Sequence, residues 1–144
     1  MKELLETAIR VASHAHSNQF DKGGMPYILH PLKVMYYLDT DDLELMAIAV
    51  LHDVVEDTPV TFKDLIGYGM TNRVVDAVRL LTKQKGRTFE EYKEGIKTNK
   101  DAILVKMADL RHNSDLRRLK GITEKDISRM EKYMKFYKEL ESSL

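Results

Sequence analysis

Residues 43–57 read Leu43-Glu44-Leu45-Met46-Ala47-Ile48-Ala49-Val50-Leu51-His52-Asp53-Val54-Val55-Glu56-Asp57. Every residue from Leu45 to Leu51 is apolar, so no face of this segment suits water. Asp41 or Asp42 can cap its start, and the pattern predicts a helix from Leu43 to about Val55. A helix that is apolar all round belongs at the centre of its domain. Its end poses a conflict. His52, Asp53, Glu56 and Asp57 follow the apolar run where the helix dipole is negative, and burying carboxylates there is costly without partners. A divalent cation would relieve both problems, and adjacent imidazole and carboxylate give mixed N/O ligation suited to Mn, Fe or Zn. Taken alone, a His-Asp pair at a helix end does not distinguish a metal ligand from an ordinary helix terminus.

Two other segments share this grammar. Tyr27-Ile28-Leu29-His30-Pro31 sets a histidine beside a helix start, and Pro31 suits a first turn, where its missing N–H costs nothing. Ala102 to Ala108 is a mostly apolar run interrupted by Lys106, and it ends in Asp109-Leu110-Arg111-His112-Asn113. Three apolar elements, each ending in a ligand-type residue, could converge at one end of a helical bundle. His52 and Glu56 share one helix face and Asp53 and Asp57 the neighbouring one, so one carboxylate can bind metal while others face the reacting group. Asp109 and Asn113 are likewise four apart.

The remaining segments also predict helices. The first runs from about Lys2 to His16, followed by a polar loop, Ser17 to Tyr27, with Gly23 and Gly24 free to turn tightly. The second continues through Leu32 to Leu38. Thr61 with Asp64, and Thr88 with Glu91, resemble capping boxes for short helices, the latter over Phe89 to Lys97. Asn72 can open a helix whose face is Val74, Val75, Val78 and Leu81. Lys100 to Arg111 forms another, and Thr123 opens the last. No segment alternates like a strand, so the expected fold is all-α: one helical bundle spanning residues 1–144.

Lys plus Arg and Asp plus Glu both number 23, so the chain is formally neutral. It lacks the global positive field that non-specific nucleic-acid binding needs. Lys83 to Arg87 and Arg117 to Lys120 are expected to be solvated stretches, the former alternatively a flap over an anionic substrate. Cysteine is absent, which excludes disulfides and thiolate ligands. Glu3 and Glu6 interrupt the first apolar pattern as no signal peptide would, and no apolar run spans a bilayer. The expectation is a cytoplasmic protein with no membrane and no nucleic-acid partner. Its oligomeric state is not legible.

The ordered blocks Ala12-x-x-Ala15-His16-x-x-Gln19, Gly24-x-Pro26-Tyr27-Ile28-x-His30-Pro31, Leu51 to Thr58 and Lys106-x-Ala108-Asp109-x-x-His112-Asn113 are spread from the first helix to about residue 115, roughly four-fifths of the chain. They resemble the HD superfamily of metal-dependent phosphohydrolases, and more closely the hydrolase domain of RelA/SpoT-type alarmone enzymes and their stand-alone small relatives. The resemblance implies an HD-type helical bundle holding a Mn²⁺-like ion on His30, His52, Asp53 and Asp109. It implies a Glu56-Asp57 pair that positions or deprotonates the attacking water. It also implies a nucleotide substrate, guanosine 3′,5′-bis(diphosphate), losing its 3′-pyrophosphate, with Lys22 and Asn113 beside it. Tyr27 either stacks on a base or anchors its loop, and Lys106 and Arg111 are candidates to balance negative charge. His16 is expected to hold the loop or His30, and Gln19 to fix the glycine loop.

The sequence departs from the family at two places. Asp21-Lys22 stands where the family has Arg-Lys, and an aspartate cannot replace an arginine against a guanine base without changing recognition. Arg111 is displaced one place from the family's arginine, about 100° around a helix. The alternatives are therefore an HD phosphohydrolase acting on another nucleotide or phosphate ester, and a non-catalytic nucleotide-binding sensor.

Overall fold

The computed structural model describes residues 1–144. Nine α-helices and one 3-10 turn follow in order: α1 (Lys2–Ala15), α2 (Leu29–Tyr37), α3 (Leu43–Leu51), α4 (Val54–Asp57), α5 (Phe62–Gly67), α6 (Asn72–Leu81), α7 (Phe89–Lys97), α8 (Lys100–Asn113), the 3-10 turn Leu116–Arg118, and α9 (Glu124–Glu141). The nearest approach to a strand is an isolated bridge between Phe20 and Pro26 within the glycine loop. The all-α expectation holds.

Helix α3 lies at the centre, packed against α1, α2, α6 and α8. Leu45 and every residue from Ala47 to Leu51 are buried, and the small Ala47 and Ala49 let neighbouring helices come close. Asp42 caps the start by accepting from the Leu45 N–H. Capping boxes close the N-termini of α5 (Thr61 with Asp64), α7 (Thr88 with Glu91) and α9 (Thr123 with Asp126). Helix α6 is capped by Thr71, one residue before the expected Asn72, because the threonine hydroxyl reaches the Val74 N–H. One continuous apolar core of 26 residues draws on all nine α-helices, and the 3-10 turn contributes none of it.

The expected helix from Leu43 to Val55 is interrupted. It stops at Leu51 and resumes at Val54 as the one-turn α4. The His52 N–H turns back to Ala49 O, a three-residue closure in place of the four-residue helical bond. On a continuous helix His52 and Asp53 would diverge by about 100°. The break instead brings their side chains to one point.

Candidate metal centre

Four side chains from three elements meet there. Helix α2 delivers His30 from its first turn, the α3–α4 break delivers His52 and Asp53, and the last turns of α8 deliver Asp109. His30 Nε2 lies 2.8 Å from Asp109 Oδ1 and 3.7 Å from Asp53 Oδ2. His52 Nε2 lies 3.1 Å from Asp53 Oδ2 and 3.2 Å from Asp109 Oδ1. All four donor atoms fall within 4.8 Å of one another, and His30, His52 and Asp109 are buried.

The hydrogen bonds behind these atoms test whether a cation fits. His52 Nδ1 lies 2.6 Å from Ala49 O and must donate to that carbonyl, so the neutral ring presents a lone pair at Nε2. That lone pair faces two carboxylate oxygens, an arrangement that needs positive charge between them. Burial is the largest single influence on His52 and pushes its pKa down, yet the charges of Asp53 and Asp109 outweigh it and hold the pKa well above the ordinary value. The same need for positive charge is met by a divalent ion bound to Nε2. His30 Nδ1 meets His112 Nδ1 at 2.8 Å. Burial and nearby Arg118 push His112 down to about 4, so it is neutral and can accept the His30 N–H, leaving His30 Nε2 free to ligate. The residues fit a metal ion held by two imidazoles and two carboxylates.

The carboxylates are also held from behind. Lys106 Nζ donates to Asp109 Oδ2 at 2.9 Å, and Asn113 Nδ2 donates to Oδ1 at 3.1 Å. Burial raises the Asp109 pKa, but Lys106 and the two histidines outweigh it and keep the group ionised. The Tyr27 hydroxyl donates to Asp53 Oδ2, with its ring between those of His16 and His30. Burial raises the Asp53 pKa, but His52 above all, with His30, outweighs it and brings the group to about 2.

Beside the metal ligands, the carboxylates of Glu56 and Asp57 approach Asp53 closely enough to form a second acidic group. Both are exposed. Glu56 Oε1 accepts the Lys83 N–H at 2.7 Å, which ties α4 to the loop after α6. Although its surface is open to solvent, Asp57 loses hydration to the protein packed around it, and this, followed by the charges of Asp53 and Glu56, pushes its pKa up to about 6.

A cavity of about 260 Å³ adjoins the centre through Tyr27 and Asn113, with Phe20, Lys22, Arg118 and Tyr133 on its walls. Lys22 is exposed at its rim. Asn113 is bound on both sides, since its Oδ1 accepts from Arg118. Asp21 faces inward and pairs with Arg118 at 3.4 Å while accepting the Met25 N–H. The glycine loop seats tightly on the 3-10 turn: a Cβ at Gly23 would lie 2.1 Å from the Arg118 carbonyl oxygen.

Arg111 is not brought to the cluster. It stacks on Tyr37, 4.0 Å from the ring centroid, because two residues along a helix separate it by about 200° from Asp109. Lys106 reaches the cluster but spends its ammonium on Asp109, beneath the site. Lys83 to Arg87 is exposed, as expected of a solvated loop, although its first amide holds Glu56. Arg118 escaped the sequence reading: it fell within a stretch assigned to solvent, and nothing local marks its pairing with Asp21 across 97 positions. Gln19, expected to fix the glycine loop, accepts the Tyr27 N–H through its main-chain carbonyl, and its side chain reaches further to donate to Asp57 O at 3.0 Å.

Comparison with known proteins agrees with this geometry. No protein-family model matches the chain. A guanosine-3′,5′-bis(diphosphate) 3′-pyrophosphohydrolase of Haemophilus influenzae is 38% identical over 117 residues, covering 72% of this chain and 17% of that protein. The bifunctional (p)ppGpp synthase/hydrolase SpoT of Escherichia coli is 36% identical over 122 residues, covering 76% of this chain and 17% of that protein. The chain thus spans less than a fifth of these two relatives. The guanosine-3′,5′-bis(diphosphate) 3′-pyrophosphohydrolase MESH1 of Danio rerio is 37% identical over 121 residues, covering 76% of this chain and 66% of that protein. A solved structure described as a metazoan ortholog of SpoT that hydrolyzes ppGpp superposes with a TM-score of 0.75 at 27% identity, over 97% of this chain and 84% of that one. The helical architecture, the convergent histidine–aspartate cluster and these relatives agree, and the chain belongs to the HD-type alarmone hydrolase family.

Proposed function

We propose that this chain is a Mn²⁺-dependent cytoplasmic hydrolase that removes pyrophosphate from the 3′ position of guanosine 3′,5′-bis(diphosphate). The observation that carries the reading is the convergence of His30, His52, Asp53 and Asp109 beside the Glu56-Asp57 pair. A bound cation would supply Lewis acidity toward a phosphoryl oxygen and acidify a water. The chain's own residues supply the rest. Asp57, with its pKa near 6, is poised to take a proton from water near neutral pH. Glu56 keeps one carboxylate oxygen free once Lys83 holds the other, and that oxygen can orient the same water. Lys22, at the cavity rim, is placed to balance phosphate charge, and the aromatic walls of Phe20 and Tyr133 suit the nucleoside.

A second reading, hydrolysis of a different nucleotide or phosphate ester, is favoured by one observation. Asp21 faces the cavity as a carboxylate locked to Arg118, where the alarmone hydrolases carry an arginine. A release assay over a panel of nucleotides supplemented with Mn²⁺ separates these readings. Pyrophosphate released only from the 3′ position of the guanosine substrate supports the first, and turnover of other nucleotides supports the second. Binding without turnover would make the chain a sensor. Glu56→Gln is expected to retain metal and lose turnover, whereas normal turnover by that variant would remove Glu56 from the mechanism. His52→Ala and Asp53→Ala should each lose metal and activity together.

A further inference from the structure

One buried side-chain polar atom has no partner within the protein, Nε2 of His16. This residue is 2% exposed, and its ring packs on Tyr27 with centroids 4.9 Å apart. Two hydrogen bonds decide which of its nitrogens carries the proton. Gln19 donates through Nε2 to the Asp57 carbonyl, so the Gln19 atom facing His16 Nδ1 at 2.8 Å is the acceptor Oε1. Nδ1 therefore holds the hydrogen, and Nε2 of the neutral ring presents a buried lone pair. Buried acceptors nearly always have a donor.

No neighbour provides one in this structure. The charged groups that act most strongly on the ring are Asp53, His52 and His30. Asp53 is an acceptor only. His52 gives its Nδ1 hydrogen to Ala49 O, His30 engages His112, and the Tyr27 hydroxyl is committed to Asp53. The donor must come from outside the chain, and a water is the smallest group that satisfies the site. Gln19 gives His16 a second reach. The main-chain carbonyl of Gln19 accepts the Tyr27 N–H at 2.8 Å and its side-chain amide donates to the Asp57 carbonyl, so the residue that His16 anchors contacts chain on both sides of the metal centre.

We infer that His16 is a positioning residue of this centre: Nδ1–H locks Gln19, and through it Tyr27 and Asp57, while Nε2 accepts a hydrogen bond from a water held beside the carboxylates. The kinetic part of this inference rests on the proposed hydrolase function; the tautomer and the bound water do not.

Amide substitutions separate the two nitrogens, because an Asn amide reaches the place of Nδ1 and a Gln amide that of Nε2. His16→Asn keeps the donor to Gln19 and removes the acceptor. Its kcat is expected to fall about tenfold, the loss of roughly one hydrogen bond, with KM and Mn²⁺ affinity unchanged. His16→Gln frees Gln19 and is expected to weaken substrate binding as well, raising KM. Wild-type kcat in His16→Asn would overturn the role of Nε2. The independent readout is the imidazole nitrogen spectrum of the metal-free wild-type protein. A hydrogen on Nδ1 and a lone pair on Nε2 are expected, with magnetisation transfer from water to the ring; a hydrogen on Nε2 would overturn the inference even if both variants failed to fold. If the wild-type protein turns over none of the nucleotides, the hydrolase reading falls while the spectrum still decides the tautomer.

Discussion

Lys106→Met isolates the electrostatics of the centre from its chemistry. The Lys106 ammonium sits 2.9 Å from Asp109 Oδ2, with the lysine side chain 16% exposed and the aspartate 6%. At that separation, with an effective dielectric of about 20, the attraction is roughly 6 kcal/mol before desolvation is counted. Removing one partner of such a buried pair typically costs about 3–5 kcal/mol, because the other charge is left without compensation. Methionine fills most of the same volume against Tyr92 and Phe136, whose rings lie 5.6 Å and 5.9 Å from the ammonium, so packing loss is small. In metal-free protein the variant should lose about 3 kcal/mol, or roughly 10 °C in Tm for a chain of this size. A divalent cation on Asp109 changes the sign of the local problem. The carboxylate is then compensated, and the lysine is a like charge close to the ion. With saturating Mn²⁺ the Tm loss should therefore shrink to a few degrees, and Mn²⁺ affinity should rise. Thermal unfolding followed by circular dichroism at helical wavelengths, with EDTA or with Mn²⁺, reads both numbers. Equal losses under the two conditions would refute the placement of a cation on Asp109.

Other expectations follow from the same geometry. Tyr27→Phe removes the hydroxyl that donates to Asp53 Oδ2 and should weaken Mn²⁺ binding about tenfold by direct titration, since hydrogen bonds to charged groups are worth about 1.5–3 kcal/mol. Asp57 has its folded pKa raised from 3.8 to about 6, so its contribution favours folding at low pH and is lost as pH rises through that window. In metal-free protein the difference in unfolding free energy between wild type and Asp57→Asn should accordingly shift in the variant's favour between about pH 4 and pH 6; a flat difference would contradict the assignment. Thr88→Ala breaks the capping box of α7, a helix that carries none of the four ligands, and should cost about 1 kcal/mol by urea unfolding while leaving Mn²⁺ affinity unchanged.

What the sequence made legible were features whose causes are local. Capping boxes at Thr61 and Thr88 act within four residues and both form as their spacing implies, and Thr123 opens the last helix as expected. The apolar run from Leu45 to Leu51 needed no partner to announce itself as the centre of the bundle. The break at His52 is different. No glycine or proline in Leu51-His52-Asp53-Val54 marks where the helix breaks, and the side chains at the turn meet Asp109 and Tyr27, which are distant in sequence. Arg111 was legible in principle, because simple helix geometry turns it from the Asp109 face toward Tyr37. Arg118 was not, because its partners Asp21 and Asn113 become neighbours only when the glycine loop docks on the 3-10 turn.

The central claim is that two histidines and two aspartates hold one cation. Diffraction from Mn²⁺-soaked crystals, collected at the manganese absorption edge, tests it without reference to any substrate. The account predicts a single anomalous peak within coordination distance of His30 Nε2, His52 Nε2, Asp53 and Asp109. No peak at that position, or an ion bound elsewhere with His30 out of reach, would contradict it.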